Sequence, residues 1–240
     1  MLPWTTLDSA KIPDAKMPGG AGELRLKQRG EEFSIMLGTN ELMNSRLSGS
    51  EEALAHLSCA RIAGRARPHV LIGGLGMGFT LRAALAALGA DARVTVAELV
   101  PAVVAWARGP MADLFAGSLE DPRVAVRVED VGRIMRERGA SFDAILLDVD
   151  NGPEGLTVEA NDSLYSTAGL GVARAALRPG GVLAVWSAAP DPAFAQRLKR
   201  VGFAAEEARV RANRGKSGAR HVIWLAVKDG GGDAPLPRAR

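Results

Sequence analysis

Pro68-His-Val-Leu-Ile-Gly-Gly-Leu-Gly-Met-Gly-Phe-Thr80 is the stretch from which the fold is read. Val70 to Ile72 has the composition of a buried strand. The chain then breaks into glycines and restarts as a helix through Leu81 to Leu88. Gly74, Gly76 and Gly78 alternate, so the backbone can turn sharply and pass close to a ligand. A second strand, Val94 to Ala97, ends in Glu98, twenty residues beyond Gly78. An acid at the tip of the second strand can accept both hydroxyls of a ribose.

Downstream, Val124 to Val128 forms a third strand ending at Glu129-Asp130, and Ala144 to Leu147 a fourth ending at Asp148. Helices are expected from Pro101 to Arg108, over 131–138, over Thr167 to Leu177 and after Asp191-Pro192, where the acid caps and the proline opens the first turn. Val182 to Trp186 is a fifth strand, and Ala205 to Arg211 with His221 to Val227 makes a closing hairpin. Alternating strands and helices imply a parallel sheet covered on both faces. The closing hairpin adds an antiparallel strand. The fold class is therefore α/β, a doubly wound, mostly parallel seven-stranded sheet of the methyltransferase-like Rossmann type, beside a small N-terminal β-hairpin region.

Upstream, Leu24 to Gly30 and Glu32 to Leu37 alternate and meet at Arg29-Gly30, a β-hairpin. A short third strand is expected at Glu41 to Met43. Residues 1–21 carry three prolines and a Gly19-Gly20 pair and read as an irregular arm. Ser48-Gly-Ser-Glu51 has the form of a capping box opening a helix to about Ala63. The domains are thus 1–47, the arm and hairpin region; 48–228, the ligand-binding α/β domain; and 229–240, a Gly- and Pro-rich tail that reads as disordered.

The chain has 240 residues, 47% apolar and 24% charged, an ordinary globular composition. No uncharged apolar run approaches the roughly 18 residues of a membrane span, and the N-terminus lacks a signal-peptide layout. A single cysteine, Cys59, fits a reducing cytoplasm. His56, His69 and His221 show no metal-ligand spacing, so no metal is expected. Net charge is only +3. Residues 197–220 hold eight Lys/Arg against two Glu, but no interleaved aromatics make them a nucleic-acid face. Lys216-Ser217 lacks the earlier glycine of a phosphate loop, since Val210 stands there.

From about Gly22 to Val227 the chain resembles the spermidine and spermine synthases, through the Gly74/Gly76/Gly78 loop, Glu98, Asp130, Asp148 and the segment Asn44 to Leu57. The resemblance implies an N-terminal β-hairpin domain and a homodimer. It also implies an adenosyl-sulfonium pocket in which Glu98 holds the ribose and Asp130 the adenine amino group, with Leu99 and Val131 against the ring. Three positions depart from the family. Met77 stands where the loop has an aspartate that holds the amino end of decarboxylated S-adenosylmethionine. Ser50-Glu51 replaces Tyr-Gln or Tyr-His. Asp148-Val-Asp-Asn-Gly152 replaces Asp-Ser-Ser-Asp-Pro, which shifts the second acid to Asp150 and leaves Asn151 in its place.

These departures lead to an expectation of methyl transfer from S-adenosylmethionine to a small polar acceptor, an amine. The alternatives are aminopropyl transfer from decarboxylated S-adenosylmethionine, as in a spermidine synthase, and non-catalytic nucleoside binding. Asp148 and Asp150 are the expected catalytic acids, able to hold an amine and turn its lone pair toward the reacting carbon. Gly74, Gly76, Met77, Gly78, Glu98, Leu99, Asp130, Val131 and Asp148 are expected at the cofactor, and Glu51, Glu52, Asn151 and Tyr165 at the acceptor.

Overall fold

The computed structural model describes residues 2–13, 21–149, 163–213 and 219–230. Strands β1 (Thr5–Pro13), β2 (Ala21–Arg29), β3 (Glu32–Leu37) and β4 (Asn40–Asn44) form one antiparallel sheet in that order. The α/β part follows: α1 (Gly49–Arg61), β5 (His69–Gly73), α2 (Phe79–Ala87), β6 (Arg93–Glu98), α3 (Pro101–Arg108), α4 (Ala112–Phe115), β7 (Val124–Val128), α5 (Val131–Glu137) and β8 (Phe142–Leu147). It ends with α6 (Thr167–Ala176), β9 (Leu177–Ser187), α7 (Pro192–Arg200), β10 (Phe203–Arg211) and β11 (Arg220–Lys228).

The large sheet runs β10-β11-β9-β8-β5-β6-β7. β7, β6, β5, β8 and β9 are parallel, and β11 is antiparallel to both β9 and β10. This is the fold class expected from the sequence. The strand sequence reverses direction of growth at β5, whose neighbours are β6 on one side and β8 on the other. In open α/β sheets ligands collect at such a switch point, outside the carboxyl ends of the strands. Gly74 and Asp148 stand there side by side.

Val70, Leu71 and Ile72 of β5 are fully buried, as are Ile145 and Leu146 of β8, because helices cover both faces. One apolar cluster joins α1, α2 and α3 to Leu24, Leu26, Phe33, Ile35 and Leu37 of the N-terminal sheet. The other packs α5, α6 and α7 on the opposite face. The small sheet thus shares a core with the large domain, as its size requires. Trp106 Nε1 on α3 also donates to Asp8 Oδ2 on β1 at 2.7 Å.

The arm expected at residues 1–21 is corrected over its first half. Thr5–Pro13 is a strand paired with β2 from Thr5↔Gln28 to Pro13↔Ala21, with a register shift between Thr6 and Asp8. The expected tail lies mostly outside the described residues. Among the described residues, no helix is long and apolar enough to cross a membrane.

Candidate active site

The carboxyl ends of β5, β6 and β8 open into a cavity of ≈ 210 Å³. Its floor holds Gly74, Gly76 and Asp148, and its far end Glu98, Leu99, Asp130 and Val131. Glu51 at the start of α1 and Trp186 on β9 form another wall. The N-terminal sheet supplies an apolar roof of Ile12, Leu24, Ile35, Leu42 and Met43.

The glycine loop is shaped by its neighbours. At Gly74, φ is +90° and an added Cβ would lie 2.3 Å from the Asp148 carbonyl oxygen, so a side chain there would force β5 and β8 apart. Gly76 has φ +49°, and its Cβ would meet Met43 Sδ at 2.9 Å. Met43 thus sits on the loop and accepts a hydrogen bond from the Met77 N–H at 3.2 Å. Three other loop donors are committed too. Gly74 N–H donates to Ala97 O, Gly78 N–H to Leu75 O, and Leu75 N–H to Glu98 Oε2. The N–H groups of Gly74, Leu75, Met77 and Gly78 are thus already bonded within the protein. A ligand carboxylate bonding any of these four amides would have to displace its present partner.

Glu98 is 8% exposed. It accepts from Leu75 N–H at 3.0 Å through Oε2 and from Val100 N–H at 2.8 Å through Oε1. Burial raises its pKa, against the lowering effect of these backbone donors. The second lone pair of each oxygen suits the paired hydroxyls of a ribose. Asp130 caps α5 by accepting from Arg133 N–H at 2.7 Å, and it borders the cavity as well. Glu129 lies beside it, paired with Arg127 at 2.5 Å.

Asp148 accepts a 2.6 Å hydrogen bond from Thr80 Oγ1 through Oδ2. Burial, and then the charge of Glu51, push its pKa up to about 7; the Thr80 hydroxyl opposes this. Burial raises the Glu51 pKa as well. The two carboxylates are therefore close enough for one to feel the other's charge, and both line the cavity.

Glu51 does not complete the expected capping box. Ser48 Oγ instead donates to Glu52 Oε1 at 2.9 Å, and Glu51 Oε2 accepts from Ser50 Oγ at 2.8 Å. Glu52 lies at the helix start and is not in the cavity lining. Met77 is fully buried, its side chain in the core and not in the cavity. Gly78 faces Phe115 rather than the cavity. Tyr165 is 3% exposed, packs edge-on to Phe194 and donates to Val149 O at 3.1 Å; it belongs to the core under the site. Asp150 and Asn151 lie outside the described residues. Thr80, Met43 and Glu129 were missed from the sequence, since nothing in their local pattern marks them and tertiary contact alone brings them in. Among the described residues no His, Cys, Asp and Glu side chains form a metal-binding group.

Residues 48–195 match the spermine/spermidine synthase domain. A polyamine aminopropyltransferase of Mycobacterium tuberculosis is 37% identical over 124 residues, 50% of this chain and 23% of the relative. Polyamine aminopropyltransferase 1 of Streptomyces coelicolor is 34% identical over 150 residues, 58% of this chain and 27% of the relative. The match thus spans about a quarter of these relatives' length. The crystal structure of spermidine synthase from Thermotoga maritima superimposes with a TM-score of 0.74 at 19% identity, covering 93% of this chain and 72% of that one. At that identity the likeness shows the fold.

The expectation of methyl transfer from S-adenosylmethionine is corrected by these relatives, which are aminopropyltransferases. It had rested on the loss of an aspartate at Met77 and of an aromatic at Ser50. Met77 points into the core, so its side chain says nothing about the donor. Fold, cavity and matched domain together mean that the chain belongs to the spermine/spermidine synthase family.

Proposed function

We propose that this chain transfers the aminopropyl group of decarboxylated S-adenosylmethionine to the amine of a diamine or polyamine. The observation that carries the reading is the placement of Asp148 and Glu51 on the same cavity as Glu98. Glu98 and Asp130 hold the nucleoside, and the donor's tail runs past Gly74 and Gly76 toward the two carboxylates. An ammonium is attracted there, and a ligand carboxylate would be repelled.

The reaction is an in-line displacement. The amine nitrogen bonds to the carbon attached to the sulfonium, the carbon–sulfur bond breaks, and a neutral thioether leaves. The acceptor arrives as an ammonium and must lose a proton before it can attack. A carboxylate whose pKa is about 7 is suited to take that proton near neutral pH. Thr80 fixes Oδ2 of Asp148 and leaves Oδ1 for the amine. Held about 3–3.5 Å from the carbon, the freed lone pair completes a near-attack geometry. The apolar roof keeps water off the sulfonium.

The same reading expects a cytoplasmic homodimer formed through the N-terminal sheet. Of the six large apolar side chains exposed among the described residues, Leu2, Leu7, Leu42 and Leu47 belong to the N-terminal region. The test is incubation of the chain with decarboxylated S-adenosylmethionine and a panel of diamines and polyamines, with products read by mass spectrometry. An acceptor heavier by one aminopropyl group is expected. An intact donor with every acceptor would overturn the reading.

A further inference from the structure

The proton that leaves the acceptor has to leave the cavity as well, and the structure contains a path that the catalytic acids do not explain. Ser50, 1% exposed, stands between Glu51 and His221. Its Oγ donates to Glu51 Oε2 at 2.8 Å and lies 2.9 Å from His221 Nδ1. The imidazole is partly exposed, and its centroid lies 4.7 Å from that of Trp186, which walls the cavity. α1 supplies the serine and the glutamate, and β11 supplies the histidine, 171 residues away in sequence. A buried hydroxyl with a carboxylate on one side and a partly exposed imidazole on the other has the form of a proton relay.

We infer that Glu51, Ser50 and His221 form a relay carrying the acceptor's proton from the cavity to solvent. The inference rests on the transfer reaction proposed above. With Glu51 ionised, Ser50 donates to it and accepts from Nδ1–H of His221. Asp148, having taken the amine's proton, passes it to the neighbouring Glu51 and is ionised again; the Glu51 carboxyl O–H then donates to Ser50 Oγ, and Ser50 donates to the bare Nδ1 of the other tautomer. Transfer along both bonds leaves Glu51 ionised, Ser50 neutral and His221 an imidazolium. Loss of a proton from Nε2 to water restores the first arrangement, and tautomer exchange with solvent prepares the next turnover. Ser50 and His221 act through Glu51 and are positioning residues.

The test compares S50A and H221A with the unaltered chain in the aminopropyl-transfer assay, at low buffer concentration and with saturating donor. Turnover is expected to fall on the order of ten- to a hundredfold in both, the low end of what a positioned acid–base group contributes. Donor KM should stay the same, and free imidazole should restore H221A. Turnover within twofold in both variants, or a loss in H221A that imidazole leaves untouched, overturns the relay. A second measurement is independent of turnover. In nitrogen NMR spectra, E51Q should move the His221 ring signals, and should not move them in an S50A background. An equal movement in both backgrounds overturns the relay even if the chain proves to transfer some other group. Absence of aminopropyl product together with the expected NMR coupling overturns the transfer reading and leaves the relay standing.

Discussion

The hydroxyl of Thr80, at the start of α2, donates to Asp148 Oδ2 at 2.6 Å, at the end of β8. This bond fixes one oxygen of the acid that the proposed chemistry depends on. D148N exchanges a proton acceptor for an amide of the same shape. Transfer should fall at least about a hundredfold, as for loss of a general base, while calorimetric donor affinity stays within a few-fold. Full activity in D148N would remove Asp148 from the mechanism.

The pH dependence follows from the same residue. Its folded pKa of about 7 lies above its ordinary 3.8. Transfer should therefore rise with pH through about 7 and then level off. Stability should behave in the opposite sense. The contribution linked to Asp148 is fully present below pH 3.8 and is lost as pH rises through 7. Denaturant titrations across that window should show a decline that is smaller in D148N.

Glu98 provides the test of the nucleoside end. E98A removes an acceptor whose two oxygens also anchor Leu75 and Val100. Donor binding should weaken by about 1.5–3 kcal/mol, the range for hydrogen bonds to a charged group. That is roughly ten- to a hundredfold in Kd. Unchanged affinity would place the nucleoside elsewhere.

Gly76 and Met43 join the two sheets at the site. G76A forces a side chain into left-handed backbone and against the Met43 sulfur. It should cost about 1–3 kcal/mol, as for a residue held in a sparsely populated conformation. In an M43A background the cost should be smaller, because only the backbone strain remains. Thermal unfolding of the two single variants and the double variant measures the difference.

Asp143 lies at the other end of β8. It is 2% exposed and accepts from Arg65, Arg178 and the His69 N–H, at 2.7, 2.7 and 2.8 Å. D143A should lower stability by about 3 kcal/mol, the low end for breaking a buried pair, since both guanidiniums reach water. Donor affinity of the folded protein should be unaffected.

The large sheet was legible because buried parallel strands read as short apolar runs, and the glycine loop with Glu98 keeps a fixed spacing. Strand β1 was not. Thr5 to Ile12 has few apolar residues, and only Ile12 is buried among its large side chains, so pairing with β2 defines the strand rather than its own pattern. Glu51 was read two ways, as the acid of a capping box and as a substrate-binding residue. A local pattern could not reveal that α1 turns it into a cavity. Met77 was misjudged for a related reason, since the positive φ angles of Gly76 and Gly78 direct its side chain to the core.

The most direct measurement is calorimetric binding of decarboxylated S-adenosylmethionine beside S-adenosylmethionine at one salt concentration. Four of the loop amides are committed, and in the proposed placement two carboxylates flank the donor's tail, so the decarboxylated ligand should bind more tightly. Equal or tighter binding of the carboxylated ligand would contradict the assignment of an aminopropyl donor to this site.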